Sequence, residues 1–216
     1  LDRAEYERSL AELDPITRRQ LMDGDWTARQ SGSLFRREWF AIVDEAPAGL
    51  RAVRYWDMAA TQAKRGSDPD WTAGVKIGVQ RGRYYVLDVR RIRGTPMEAE
   101  ALVRQTAQMD GPGVAVYMEQ EAGASGKSMI DHYAREVLAG FTFRGQRPSG
   151  SKEVRAGPVS SAAEAGNILL VRGAWIGELL DELEGFPGGA HDDQVDALSG
   201  ATDRLRSASG GIGFYG

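Results

Sequence analysis

A chain of 216 residues, 42% hydrophobic and 27% charged, can bury a full core and has the composition of a soluble globular domain with appendages. No apolar run approaches the roughly 20 residues that cross a bilayer and no signal peptide opens the chain, so no membrane partner is expected. Zero cysteines exclude a disulfide framework and a thiolate metal site and fit a cytosolic protein, while a net charge of −4 argues against a uniformly basic nucleic-acid binder.

Residues 1–49 read as an appendage, and Leu1 in place of an initiating Met reads as the start of a piece of something longer. Ala4–Leu13 and Pro15–Met22 are expected to be short helices, the second with Asp14 as N-cap and Pro15 at its first position. Gly24, Gly32, Pro47 and Gly49 then punctuate an irregular connector. A regular domain follows over 50–206. Arg51–Asp57 alternates Val53, Tyr55 and Asp57 on one face, a strand ending in a carboxylate. Ala73–Val79 and Tyr84–Val89 are two more strands, with Arg81-Gly82 as a tight hairpin turn. Thr95 caps a helix running to about Gln108. Val114–Glu119 is apolar up to its last residue, as a strand covered on both faces must be, and it too ends in a carboxylate. Lys127–Leu138 reads as helix, Phe141–Phe143 as a short strand, Ser151–Ala165 as a helix that Gly157-Pro158 threatens to interrupt, and Ile168–Val171 as a strand. Ala174–Leu183 and Asp192–Leu205 are the closing helices, and 207–216 is expected to be a disordered tail. An antiparallel meander of three strands, followed by alternating helices and strands, is the ribonuclease H-like α/β layout: a mixed sheet flanked by helices.

Three places put carboxylates where the active edge of such a sheet would lie. They are Asp57, Glu119 (with Glu121), and the run His191-Asp192-Asp193-Gln194-Val195-Asp196. At a helix start Asp192, Asp193 and Asp196 share roughly one face, while Val195, Leu198, Thr202 and Leu205 form the core stripe behind them. The acids are therefore expected to point away from the interior toward a cleft, and Ala197, Gly200 and Ala201 to let the helix lie close to the sheet. Gathered carboxylates raise one another's pKa unless a cation sits among them, and hard oxygen ligands favour Mg²⁺ or Mn²⁺. Each acid taken singly also has a simpler reading, as an N-cap, a first-turn acid or a turn residue.

The runs Glu119–Lys127 (EQEAGASGK), Ser151–Ala156 (SKEVRA), Ala165-Gly-Asn167 and above all Phe186–Leu198 (FPGGAHDDQVDAL) resemble the C-terminal nuclease domain of bacteriophage large terminase subunits over about residues 50–205. Residues 1–49, with Gly24-Asp-Trp26, are similar to the segment that joins the motor ATPase to that nuclease. The resemblance implies a metal-dependent endonuclease that cuts double-stranded concatemeric viral DNA in the host cell cytoplasm, using two Mg²⁺ or Mn²⁺ ions. It implies Asp57, Glu119 and Asp193 as principal ligands. The shares of Asp192 and Asp196 stay open, as does Glu119 against Glu121. It also implies the portal protein and the small terminase subunit as partners of the full-length protein.

Several other features need weighing. Gly123–Ser128 sits where a phosphate loop would, but position 121, where that pattern needs glycine, is Glu121, so this piece is expected to bind no ATP. His191 reads equally as ligand, general base or solvent-exposed helix-entry residue. Asp68 and Asp70 are loop acids within reach of the metals as secondary candidates, and Trp56, Trp71 and Trp175 are expected in the core. Arg144, Arg147, Lys152 and Arg155 are read as the phosphate-contacting rim, in a segment Phe143–Ala156 that Gly145, Pro148 and Gly150 keep irregular, with Lys127 as a further contact. Cations at the helix start of Lys152 and Arg155 call for a compensating anion. The rival readings are a Holliday-junction resolvase or transposase-like nuclease, which shares the acids, and a catalytically silent docking module of the packaging motor.

Overall fold

The computed structural model describes residues 34–59 and 70–207. The two expected N-terminal helices, Asp68 and the tail beyond Ser207 lie outside the described residues. Within them seven strands form one mixed sheet: β1 (Ala41–Val43), β2 (Arg51–Asp57), β3 (Thr72–Gln80), β4 (Arg83–Ile92), β5 (Ala115–Glu119), β6 (Phe143–Gln146) and β7 (Ile168–Val171), in the spatial order β1-β7-β4-β3-β2-β5-β6. β2, β3 and β4 are the antiparallel meander, and the pairs β2–β5, β5–β6, β4–β7 and β7–β1 are parallel. The helices are α1 (Pro96–Asp110), α2 (Ala124–His132, continued by a π-turn at Tyr133–Val137), α3 (Lys152–Glu164), α4 (Ile176–Gly185) and α5 (Asp193–Ser207). This is the ribonuclease H-like fold expected from the order of elements.

Local chemistry sets these elements. The β3–β4 hairpin turns at Arg81 and Gly82 with φ of 49° and 80°, the doubly positive pair that matches strand twist. Thr95 and Glu98 close a reciprocal capping box on α1. Adjacent residues of β2 face opposite ways: Tyr55 packs under α3, α4 and α5, and Trp56 joins the second core beneath α1 and α2. The close approach of α5 is as expected, because a Cβ at Gly200 would lie 2.4 Å from the Tyr55 ring.

Two expectations need correction. The connector is not irregular throughout: Ala41–Val43 is an edge strand paired with β7, and Phe35 and Phe40 are buried in the main core. Three short residues at an edge carry no alternation to read, so pairing with a distant strand decides them. The basic segment is also more regular at its start than read, because the strand expected over Phe141–Phe143 is β6 and runs on to Gln146; the helix that carries Lys152 and Arg155 forms as expected, despite Pro158 inside it.

Candidate metal centre

β2 presents Asp57 on the face that bears Val53 and Tyr55, the face α5 covers. Trp56 pairs with Met118 in parallel register, so the next residues, Asp57 and Glu119, stand side by side at the carboxyl ends of adjacent strands. α5 begins at the same end with Asp193 and, nearly one turn on, Asp196. Asp193 is held by the backbone N–H of Trp71, which donates to its Oδ2 at 3.1 Å just before β3, where Ala73 pairs with Asp57. Sheet and helix thus bring together three acids that are 136 residues apart in sequence at the extremes (193 − 57).

The electrostatics are those of too many carboxylates. Burial pushes the Asp57 carboxyl well above its ordinary value, and the charges of Glu119, Asp196 and Asp193 push it further, with Lys152 in opposition. Burial also raises Glu119; there Asp196 and Glu121 add to the rise and Arg155 and Lys152 work against it. Asp193 is raised by burial and by Asp70 and Asp192, against the Trp71 N–H and His191.

Two cations enter the cluster from α3. The Lys152 ammonium lies 2.6 Å from Asp192 Oδ1 and 3.0 Å from Asp196 Oδ2, and Arg155 lies 2.6 Å from Asp196 Oδ1 and 3.8 Å from Glu119 Oε2. Burial works against the charge on Lys152, yet its bonds to Asp192 and Asp196 hold its pKa above the usual lysine value. The compensating anion expected at the start of α3 is therefore present as the chain's own Asp192 and Asp196. Asp196 is buried, with a cation on each oxygen. Asp196 lines a cleft, as its place opposite the core stripe implied, and both Asp193 and Asp196 are more than nine-tenths buried. As the side chains stand, no three acids or histidines among the described residues form a ready metal cage. The donor set nevertheless fits a hard divalent cation: oxygen only, desolvated, and in excess of the cations facing it.

The remaining predicted residues are spread around this centre. Asp70 is exposed and acts on Asp193 through space; Glu121 is exposed in the turn after β5, its carbonyl against Gly126, whereas Glu119 is in the strand and half-buried. Lys127 is exposed on α2 and Arg144 on β6. Arg147 lines a cleft of about 170 Å³ between α3 and α5, together with Arg155, Tyr55, Glu119 and Asp196. His191 is half-buried, with Nε2 2.5 Å from Arg93. Trp71 is half-buried, its ring 4.2 Å from the guanidiniums of both Arg91 and Arg93. Glu182 on α4 was missed by sequence reasoning: it accepts from the backbone N–H of Gln194 (2.6 Å) and Val195 (3.2 Å) and so caps α5 from a neighbouring helix. Nothing local in the sequence marks it.

Residues 54–205 match the family model described as Terminase RNaseH-like domain. The chain belongs to that family. No curated protein matches it in sequence. The large terminase nuclease of thermophilic phage G20c superposes with a TM-score of 0.57 at 15% identity, over 80% of this chain and 98% of that one, and has also been solved with bound magnesium, zinc and cobalt. The human cytomegalovirus terminase nuclease domain, manganese-soaked and inhibitor-bound, gives 0.58 at 13% identity over 79% and 94% of the two chains. The large terminase of another thermophilic bacteriophage gives 0.56 at 14% identity, over 95% of this chain but only 53% of that one. At such identities the likeness establishes the shared fold.

Proposed function

We propose that this terminase domain is a divalent-metal-dependent endonuclease that cuts double-stranded, concatemeric viral DNA during genome packaging, in the host cell cytoplasm. One observation carries the reading: the desolvated carboxylate excess around Asp57, built from the ends of two parallel strands and the start of α5. The magnesium bound by the G20c nuclease and the manganese soak of the cytomegalovirus domain support it. Two Mg²⁺ or Mn²⁺ ions held by Asp57, Glu119 and Asp193 would activate water and neutralise the leaving oxygen of a phosphodiester. Asp57, on which the charges of Glu119, Asp193 and Asp196 all act, would be the central holder of the cations. Asp192 stands at the rim, paired with Lys152. Asp196 acts on the cations instead, fixing Lys152 and Arg155 where a phosphate would meet them. Arg147 extends that rim along the cleft, and Arg144 and Lys127 are its outer exposed cations.

In the full-length protein an upstream ATPase, the portal protein and the small terminase subunit would complete the motor. This domain itself hydrolyses no ATP, since Glu121 stands where a phosphate loop needs glycine, and turnover lost on Lys127→Ala would contradict that. Nicking of supercoiled plasmid tests the main reading. Cleavage in Mn²⁺ or Mg²⁺, abolished by chelator, is expected. A folded chain that binds no Mn²⁺ and nicks nothing would be a docking module instead.

A further inference from the structure

Asp193 is met by more than the metal site requires. Its Oδ2 accepts from the Trp71 N–H at 3.1 Å and lies 3.9 Å from His191 Nδ1. Both of these groups are held by a single residue, Arg93, which follows the last residue of β4. Its guanidinium lies 4.2 Å from the centre of the Trp71 ring, and one of its nitrogens is 2.5 Å from His191 Nε2. Arg91, two residues earlier on the same face of the strand, lies over the same ring at 4.2 Å and is tied to Glu178 at 2.7 Å, so the stack is anchored to α4.

The chemistry gives this arrangement a direction. A guanidinium has donors and no acceptor, so His191 Nε2 is the acceptor and the ring proton sits on Nδ1, toward Asp193 Oδ2. Arg93 therefore sets the ring of His191, whose Nδ1 faces Asp193 Oδ2 through space at 3.9 Å, and steadies the Trp71 N–H that donates to the same oxygen. Oδ1 meets no protein donor among the described residues and would be the oxygen left to hold a cation. We infer that Arg93 is a positioning residue for the metal centre, acting through His191 and Trp71 to fix the Asp193 carboxylate. His191 is then an orienting group, neither a ligand through Nε2 nor a general base. The inference rests on the nuclease reading only in that both need a divalent cation at Asp193.

Calorimetric titration of Mn²⁺ into the whole chain tests it, with cleavage as a second readout. Arg93→Ala should weaken Mn²⁺ binding by about 10- to 100-fold, the usual cost of losing an outer partner of a metal ligand. It should lower kcat at fixed Mn²⁺, leave the KM for DNA unchanged, and recover as Mn²⁺ is raised. Arg93→Lys, which can donate to Nε2 but cannot stack as a plane, should fall in between. His191→Gln breaks the same relay with Arg93 kept, should shift Mn²⁺ affinity in the same direction, and serves if Arg93→Ala fails to fold. Unchanged Mn²⁺ affinity in the folded variants overturns the inference, whether the loss shows as a lower Tm (packing only) or as a higher KM for DNA (a phosphate contact). A parent chain that binds no Mn²⁺ overturns it too. A parent that binds Mn²⁺ but cuts no DNA refutes the nuclease reading and leaves the titration to decide this one.

Discussion

Strand β2 carries a buried and a half-buried charged group three residues apart, Arg54 and Asp57, and their surroundings differ in one respect. Arg54, 1% exposed, is enclosed by Asp110 at 2.7 and 3.0 Å, Asp88 at 2.8 Å and the Gly74 carbonyl at 3.2 Å, while Lys76 adds a second cation to Asp110 at 3.0 Å. With Arg90 also 3.1 Å from Asp88, three cations face two acids and neither acid lacks a counter-charge. Burial alone would raise Asp110, yet Arg54 and Lys76 hold it below the ordinary carboxylate range. Asp57 sits at the end of the same strand among Glu119, Asp193 and Asp196, and is pushed the other way. The same residue types thus build a closed structural cluster on one face of the sheet and an open, unbalanced one on the other. Charge balance, rather than the presence of acids, separates scaffold from site.

The sharpest way to break this contrast is to remove the central acid of each cluster in turn. Asp57→Ala should lower plasmid cleavage by about a thousand-fold or more, in keeping with loss of a group on which a catalytic unit depends. The protein should stay folded, with a Tm that holds or rises as carboxylate repulsion is relieved. A folded variant that cleaves at near-normal rate would remove Asp57 from the site. Arg54→Met should do the reverse. It takes the buried cation from between Asp88 and Asp110 and leaves them only the more exposed Arg90 and Lys76, at a cost of up to about 3–5 kcal/mol and a Tm loss on the order of 10 °C, while metal affinity and cleavage per folded molecule stay put. Thermal denaturation read beside Mn²⁺ titration checks both halves.

A finer test uses pH. The folded pKa of Asp57 is raised above its unfolded value of about 3.9, so the stability tied to its protonation is fully present below pH ~4 and is lost as pH rises through the folded value. Metal-free protein should therefore lose stability upward from pH ~4, by at most about 1.4 kcal/mol per pH unit from this one group. Asp57→Asn is neutral at every pH and lacks that slope. Its Tm advantage over the parent should widen from pH 5 to pH 8 in chelator. A constant difference across that range would mean Asp57 is not strained by its neighbours.

Much of this was legible in the sequence, and the boundary is physical. Alternation in β2, the Arg81-Gly82 turn, the Thr95 cap and the stripe Val195, Leu198, Thr202 and Leu205 are local signals, and each element formed where its signal lay. That Asp57, Glu119 and Asp193 gather at one edge was readable because each ends or starts an element there. What escaped depends on contacts across the chain: the edge pairing of β1 with β7, Glu182 capping α5, and Arg93 reaching His191 98 residues away. The tail of β4 was hidden by its own arginines, since Arg90 and Arg91 look like the end of a strand and are its continuation.

The smallest expected effect separates the two roles of α3. Lys152 is half exposed, bridges Asp192 and Asp196, and counts among the charges that oppose the raised pKa of Asp57. If it faces DNA phosphate as well, Lys152→Ala should act with opposite signs on two ligands. DNA affinity, measured in Ca²⁺ to prevent cutting, should fall for every sequence, and the slope of log affinity against log salt should flatten by about one. Mn²⁺ affinity should rise, because one competing cation has left the carboxylates. The gain should be only a few-fold, since a solvent-screened pair is worth at most about 1 kcal/mol. Arg155 is less exposed and holds Asp196 at 2.6 Å, so Arg155→Ala should show the same pair of signs with a larger share of lost stability. Unchanged DNA affinity and salt slope in the double variant, with tighter Mn²⁺ binding retained, would make both cations internal counter-charges and put the DNA path along Arg144 and Arg147 alone. Weaker DNA binding with no change toward Mn²⁺ would mean that their contacts with Asp192 and Asp196 are given up once the site is loaded.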